Sequence, residues 1–354
     1  MAPDKAYILS NLARVLQDIG DLDPARKAVE QALDLDSESP DALINLGCIL
    51  RDLKQPHEAV LAFRKAAAIN PALPDIWLNL ALALRDSGKA EQGLEALETL
   101  LKLDPESAGG HTNIGRLQHG LHCYPEAAEA FRTALDLSPS DPSIMASFAA
   151  LLIDMDQLDE AETWCNKARQ IQPDHVPAIT NLGILASQRG DQKEALGLLR
   201  SALEIDPHNI QTQRNLADPL FLSGHLEGGW AAYEYRWKLP DRPRRPHPQQ
   251  EWQGEDLTGK TLLVWPEQGV GDTLIFSTCL PDVMAAADKV IFEVDQRFVS
   301  LYQRSFPDLT VLPRLDPPHA QTLEENIDLQ CPVGGLGRWT RKTLDSFPRK
   351  KHFL

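Results

Sequence analysis

The chain has 354 residues, 43% hydrophobic and only 6% aromatic, with a formal net charge of −16. Residues 1–239 carry 21 basic against 35 acidic side chains, so the basic face that nucleic acid or an anionic membrane surface requires is absent from most of the chain. Its five cysteines lie far apart with no CxxC pair, which excludes a disulfide framework or zinc motif and fits a reducing compartment. No apolar run approaches the ~20 residues needed to cross a bilayer, and Met1–Ser10 lacks a charged segment followed by an apolar run. A cytoplasmic location without membrane insertion is the expectation.

From the N-terminus onward the sequence repeats every 34 residues without insertion. Gly47, Gly115 and Gly183 share one register with Ala13, Ala81, Ala149 and Ala217. Ala25, Ala59, Gly93, Ala127, Ala161, Ala195 and Gly229 form a second column, and Ala32, Ala66, Ala134, Ala168 and Ala202 a third. Small residues recur where two helices cross closely, and Phe63, Leu97 and Phe131 fill the space beside them. Pro71, Pro105, Pro139, Pro173 and Pro207 close successive units, because proline lacks the N–H that would continue a helix. Gly20, Gly88, Gly190 and Gly224 stand where the first helix of a pair must end in a left-handed residue.

This pattern resembles the tetratricopeptide repeat over about residues 6–239, although the consensus Trp occurs only as Trp77. The resemblance implies a mainly α protein: a right-handed α-solenoid of seven repeats whose first helices (helices A) line a concave groove that holds an extended peptide or protein. One helix-A position reads Asn11, Asn45, Asn79, Asn113, Ser147, Asn181 and Asn215. An amide offers a donor and an acceptor, so such a column can grip a peptide backbone. It is similar to the asparagine ladder of protein O-linked N-acetylglucosamine transferases; consensus usage without a dedicated role is the alternative. Asp18, Asp52, Asp86 and Asp154, with Arg51 and Arg85 adjacent, read either as a selective groove lip or as solvated helix ends. The aromatic run Trp230–Trp237 in the last repeat is expected to dock a second domain.

Residues 240–257 form a Pro/Arg-rich linker, in which Arg242, Arg244 and Arg245 are either solvated or phosphate-binding. Over 258–354 the period changes. Strands at 261–265, 290–294 and 309–312 alternate with helical stretches, as in a small Rossmann-like α/β half-domain. The loop Gly269-Val270-Gly271-Asp272 fails as a dinucleotide fingerprint, since Leu274 replaces the third glycine. Glu293 at a ribose-contact distance keeps a nicotinamide alternative open.

The run Leu262-Leu263-Val264 followed by Glu267-Gln268-Gly269-Val270-Gly271-Asp272-Thr273 resembles the N-terminal half of heptosyltransferase-like GT-B glycosyltransferases, and more closely the bacterial proteins that fuse them to tetratricopeptide repeats. That resemblance implies an acceptor-facing loop of Gln268, Gly269, Gly271 and Thr273 and gives Asp272 the role of general base; capping of the next helix is the alternative role for Asp272. The second, donor-binding half is not expected within 354 residues, so a nucleotide-sugar cofactor is expected only if such a half exists, and whether this chain is an enzyme stays open. A non-enzymatic scaffold with a vestigial α/β cap is the competing reading. No metal site is expected from His111, His119, His122 and Cys123, and Asp154-Met155-Asp156 matches a DxD motif only by coincidence.

Overall fold

The computed structural model describes residues 2–239, 244–267, 269–324 and 326–348, which fall into two compact units, Met1–Leu185 and Ala186–Leu354. The first is entirely helical: α1 (Ala2–Asp18), α2 (Leu22–Leu35), α3 (Pro40–Asp52), α4 (Pro56–Ile69), α5 (Pro74–Asp86), α6 (Ala90–Leu103), α7 (Ala108–Gly120), α8 (Tyr124–Leu137), α9 (Pro142–Asp154), α10 (Leu158–Ile171) and most of α11 (Val176–Gln188). From α1 to α12, odd-numbered helices are the A members of each pair and even-numbered ones the B members. The chain is thus a mainly helical, solenoid-like stack of helix pairs with a small parallel sheet.

The 34-residue period reappears as a column of turns. Gly20, Lys54, Gly88, His122, Asp156, Gly190 and Gly224 all have positive φ, between 59° and 88°. Helix A therefore ends in a left-handed residue in every repeat, three times without glycine, where a Cβ makes that backbone costly. The starts of helix A form another column: Ser39, Ser107, Asp141 and Asn209 accept hydrogen bonds from the first-turn N–H groups of α3, α7, α9 and α13 (Ile210–Asn215). Between helices the small residues act as expected. A Cβ on Gly47 would lie 2.5 Å from the Phe63 ring, and one on Gly115 3.0 Å from Phe131.

The second unit continues with α12 (Gln192–Ile205), α13, α14 (Ala217–Leu222) and α15 (Leu226–Tyr233), then a 3-10 turn over Glu234–Lys238. The seventh helix A is split at Leu216, where Pro219 cannot donate to the carbonyl four residues back. Then come β1 (Gln250–Glu251), β2 (Thr261–Trp265), α16 (Val270–Phe276), α17 (Leu280–Ala286), β3 (Lys289–Val294), α18 (Val299–Ser305), β4 (Thr310–Pro313), β5 (Leu329–Pro332) and α19 (Leu336–Thr340). The five strands are all parallel in the order β1-β5-β2-β3-β4. Sequence periodicity locates β2, β3 and β4 but not β1 and β5, which are too short to carry a period of their own.

Both faces of the sheet are buried, as near-continuous apolar strands require. Leu262, Val264, Val290, Phe292 and Val294 pack with residues of α17 and α18 in one core. Leu263, Trp265, Ile291 and Leu312 form another core with Ile327 and Trp237.

The turn column yields a stability test. Gly88→Ala is expected to cost about 1–2 kcal/mol, because a Cβ is forced into left-handed backbone, whereas Lys54→Gly is expected to be neutral or to gain up to about 1 kcal/mol. Urea midpoints of the two variants check the pair; equal midpoints would mean that the turns do not constrain the fold.

Candidate functional site

The asparagine column lies on helices A. Asn45 donates from Nδ2 to the Ser10 backbone O at 3.2 Å and Ser10 Oγ at 2.9 Å in the preceding helix A. Asn181 repeats this with Ala146 O at 2.8 Å. Asn79 and Asn113 turn their amide N–H groups onto their own helices instead, to Asp75 O and Gly109 O, both at 2.9 Å. Each of the four amides therefore gives at least one N–H to the fold; Asn181 is buried, whereas Asn45, Asn79 and Asn113 are half-buried. Asn79 Oδ1 also lies 3.8 Å from Cys48 Sγ. Ser147 in the same column binds the Arg116 guanidinium at 3.0 and 3.2 Å. Asn11 is half-buried on α1, and Asn215, in the second unit, accepts from Gln211 Nε2 at 3.1 Å.

The acidic column is a set of straps between repeats. Asp52 accepts from Gln17 at 2.6 Å, Asp86 pairs with Arg51 at 3.2 Å, and Asp154 with His119 at 2.7 Å, each partner standing 35 residues earlier. Arg85 also binds Asp86. Asp52, Asp86 and Asp154 thus bridge neighbouring repeats while staying partly in solvent, and Asp18 is exposed. The remaining histidines are spread: His111 contacts Pro105 O at 3.2 Å, and His122 occupies a left-handed turn and contacts the Tyr124 hydroxyl at 3.0 Å.

In the second unit the glycine loop follows β2, at the carboxyl end of the parallel strands where α/β folds place ligands. Gly269 is the N-cap of α16 and Thr273 Oγ1 donates to its carbonyl at 3.1 Å. Neither Gly269 nor Gly271 has an atom within 4 Å of where a Cβ would be, so packing does not demand glycine at either position. Asp272 is half-buried in the first turn of α16. Gln268 lies outside the described residues. The adjacent cavity, of about 50 Å³, is lined by Pro266, Thr273, Leu274, Phe298, Tyr302 and Arg314 among others; small-molecule sites run to several hundred Å³.

Glu267, the first residue of the loop motif, is wholly committed to structure. Its carboxylate receives Arg236 Nε at 2.6 Å and Nη2 at 3.1 Å, and the Gly334 N–H at 2.8 Å. Arg236 is 1% exposed, bonds Glu234 at 2.7 Å and Tyr233 O at 3.0 Å, and lies over the Tyr233 and Trp237 rings. Burial opposes its charge, but the Glu267 carboxylate offsets this and holds its pKa above the usual guanidinium range. Trp230 donates to Arg341 O at 2.9 Å and packs on Gly337, where a Cβ would lie 2.1 Å from its ring. The aromatic end of the last repeat thus docks against α19 and the glycine-loop motif, the role expected of it. The Arg236–Glu267 pairing carries no sequence signal beyond an Arg inside that aromatic run.

From residue 244 the segment after the repeats alternates exposed and partly buried positions. Arg244 pairs with Glu251 and lies over Trp237. Arg245 binds Glu293 at 2.9 Å and Leu315 O at 2.8 Å, and His247 lies 3.6 Å from the same carboxylate. Glu293 is fully buried on β3, so the ribose contact considered from sequence is corrected: its side chain is sealed under residues 245–247. Arg242 lies outside the described residues.

A ladder of helix pairs with one repeated left-handed turn defines a helical-repeat protein. Profiles described as tetratricopeptide repeat match residues 4–72, 78–142 and 142–208, together more than half of the chain, which belongs to the tetratricopeptide-repeat family. Protein FlbA of Caulobacter vibrioides is 26% identical over 262 residues, covering 69% of this chain and 44% of FlbA. The human protein O-mannosyl-transferase TMTC2 is 30% identical over 98 residues, 27% of this chain and 12% of that protein. The chain therefore spans less than half the length of either relative. A tetratricopeptide repeat protein from Parabacteroides merdae superposes with a TM-score of 0.56 at 19% identity, covering 65% of this chain and 91% of that one, a likeness of fold. No helix among the described residues is long and apolar enough to cross a membrane.

Arg236→Met is expected to cost about 3–5 kcal/mol, by leaving the Glu267 charge buried without its partner. Adding Glu267→Gln, which keeps an acceptor for Gly334, should recover most of that loss. Thermal unfolding of both variants tests it; a loss below about 1 kcal/mol for the single change would deny the pair its structural role.

Proposed function

We propose that the helix-A face of this repeat scaffold holds an extended polypeptide and that the α/β portion presents it, as acceptor, to a glycosyltransferase activity. The observation that carries the reading is the run Asn45, Asn79 and Asn113, half-buried amides in three successive repeats that each give an N–H to the fold and carry a carbonyl oxygen able to accept another. Backbone N–H groups of an extended chain are the natural donors to such a column, giving affinity that tolerates many sequences. Tetratricopeptide-repeat proteins typically bind proteins or peptides, and the alignment with TMTC2, named as a protein O-mannosyl-transferase, supports the pairing of such repeats with glycosyl transfer. In this reading Asp272 is the general base of the acceptor loop, which also includes Gly269, Gly271 and Thr273, and the sugar donor is held by a second half-domain.

A non-enzymatic scaffold is the second reading, favoured by the commitment of Glu267 to Arg236 and by the small volume beside α16. Titration calorimetry with nucleotide-sugars separates the two, since micromolar binding sinks the pure scaffold.

For the groove, Asn79 and Asn113 changed together with Asn45 to Ala are expected to weaken binding to an array of unstructured peptides about tenfold or more, from the loss of several hydrogen bonds of ~1 kcal/mol each. Helicity by circular dichroism should be retained. Unchanged binding across the array would remove the column from the site.

A further inference from the structure

The straps between repeats are interrupted at one point. Gln17, Arg51 and His119 each reach the carboxylate 35 residues later, on Asp52, Asp86 and Asp154. Arg85 stands in the same register, but the position where its carboxylate belongs is Gly120. It turns instead to Asp86 on its own helix, at 2.9 Å, the carboxylate that Arg51 already holds. Neither packing nor backbone demands the glycine. A Cβ on Gly120 would meet nothing within 4 Å, and Gly120 closes α7 without a positive φ.

Another guanidinium lies beside this gap. Arg116, on the next helix A, stands one turn before His119, the register equivalent of Arg85, and so shares its face. Among the described residues no carboxylate pairs with Arg116; its Nε and Nη2 hold only the Ser147 hydroxyl, at 3.2 and 3.0 Å. Asp141, which favours its charge, is engaged by the Ser143 and Ile144 N–H groups at 2.7 and 3.3 Å. Arg116 is exposed and open to a ligand. Even so, crowding by the groups around it, and next the like charge of Arg85, hold its pKa below the usual guanidinium range. Arg85 binds Asp86 through Nε and Nη2, so among the described residues Nη1 of Arg85 and Nη1 of Arg116 have no hydrogen-bond partner. Arg51, Arg85 and Arg116 thus have a single paired carboxylate between them, in a chain of net charge −16.

We propose that an aspartate or glutamate side chain of the bound polypeptide completes the interrupted strap, its carboxylate held between Arg85 and Arg116. This rests on the peptide-binding reading and adds a selectivity that the amides lack. Asn79 and Asn113 lie on α5 and α7, the helices that carry the two arginines, so a chain lying along the amides passes the site. A carboxylate there relieves the repulsion between the two charges and fits the planar fork of a guanidinium. The neutral amide of Asn or Gln does neither.

Fluorescence anisotropy of the full chain with unstructured peptides tests this. The peptides are blocked at both ends and come in pairs that differ only by Glu or Gln at one central position, so a terminal carboxylate cannot substitute. The Glu member is expected to bind about tenfold more tightly, the gain of charge-assisted hydrogen bonds over neutral ones. That ratio should fall to about twofold or less in Arg116→Gln. Gly120→Asp should have the same effect, because it supplies the missing strap carboxylate to Arg85 from within the fold. If Arg116→Gln does not fold, Gly120→Asp, at an exposed position with free space around it, decides alone. Equal binding of Glu and Gln peptides, or a preference that survives Gly120→Asp, overturns the proposal and leaves the asparagine run as a sequence-tolerant grip. Failure of both members of every pair to bind overturns the peptide-binding reading as well.

Discussion

In the second unit, the buried contact between Arg236 and Glu267 decides how a helical repeat can end against a parallel sheet. A guanidinium taken fully out of water is costly unless its donors are satisfied. Here it meets the carboxylate through two donors, gives another to Glu234 and Tyr233 O, and is framed by two aromatic rings. The carboxylate is completed by the Gly334 N–H, so a residue before the glycine loop, one after β5 and one from the last repeat share a single charge. Gly334 could not carry a side chain here, since its Cβ would lie 2.3 Å from Glu267 Oε1. Trp230, bonded to Arg341 O and seated on Gly337, extends the same contact through apolar area.

The sheet's second face shows a related solution. A parallel sheet buries both faces, and helices usually cover them. On this face Trp237 covers Leu263, Trp265, Ile291 and Leu312, while Arg245 and His247 close over the only acid on β3. Residues 250–251 then join the sheet beside β5. A stretch with the composition of a linker thus behaves as part of the fold, because Glu293 gives its arginine a buried partner.

In the first unit the governing constraint is periodic. Each repeat reuses one left-handed turn, and Lys54, His122 and Asp156 adopt it despite their Cβ atoms, evidence that the stack fixes the turn more strongly than the local residue does. The same periodicity places Gln17, Arg51 and His119 each 35 residues before a carboxylate, and Asn45 and Asn181 each 35 after the groups they bind. Polar residues on helix A thereby bond the preceding repeat, as Asn45 and Asn181 do, or their own helix, as Asn79 and Asn113 do.

The helical repeat was legible in the sequence because its causes are local and recur: a small residue where helices cross, proline after helix B, a turn residue every 34 positions. Strands β2 to β4 were legible as apolar runs between turns. The two-residue β1 and four-residue β5 were not, because pairing with neighbours from elsewhere in the chain makes them strands. Nor could periodicity show which way an amide points, so Asn79 and Asn113 facing their own helices, and Asn45 and Asn181 facing the preceding one, emerged only in three dimensions. The sequence by itself determined the repeat, its register and the positions of its turns, since these depend on residues a few positions apart. Only the tertiary structure decided the partners of Glu267, Glu293 and the acidic column, because a buried or bridging charge is settled by whatever side chain folding brings within ~3 Å of it.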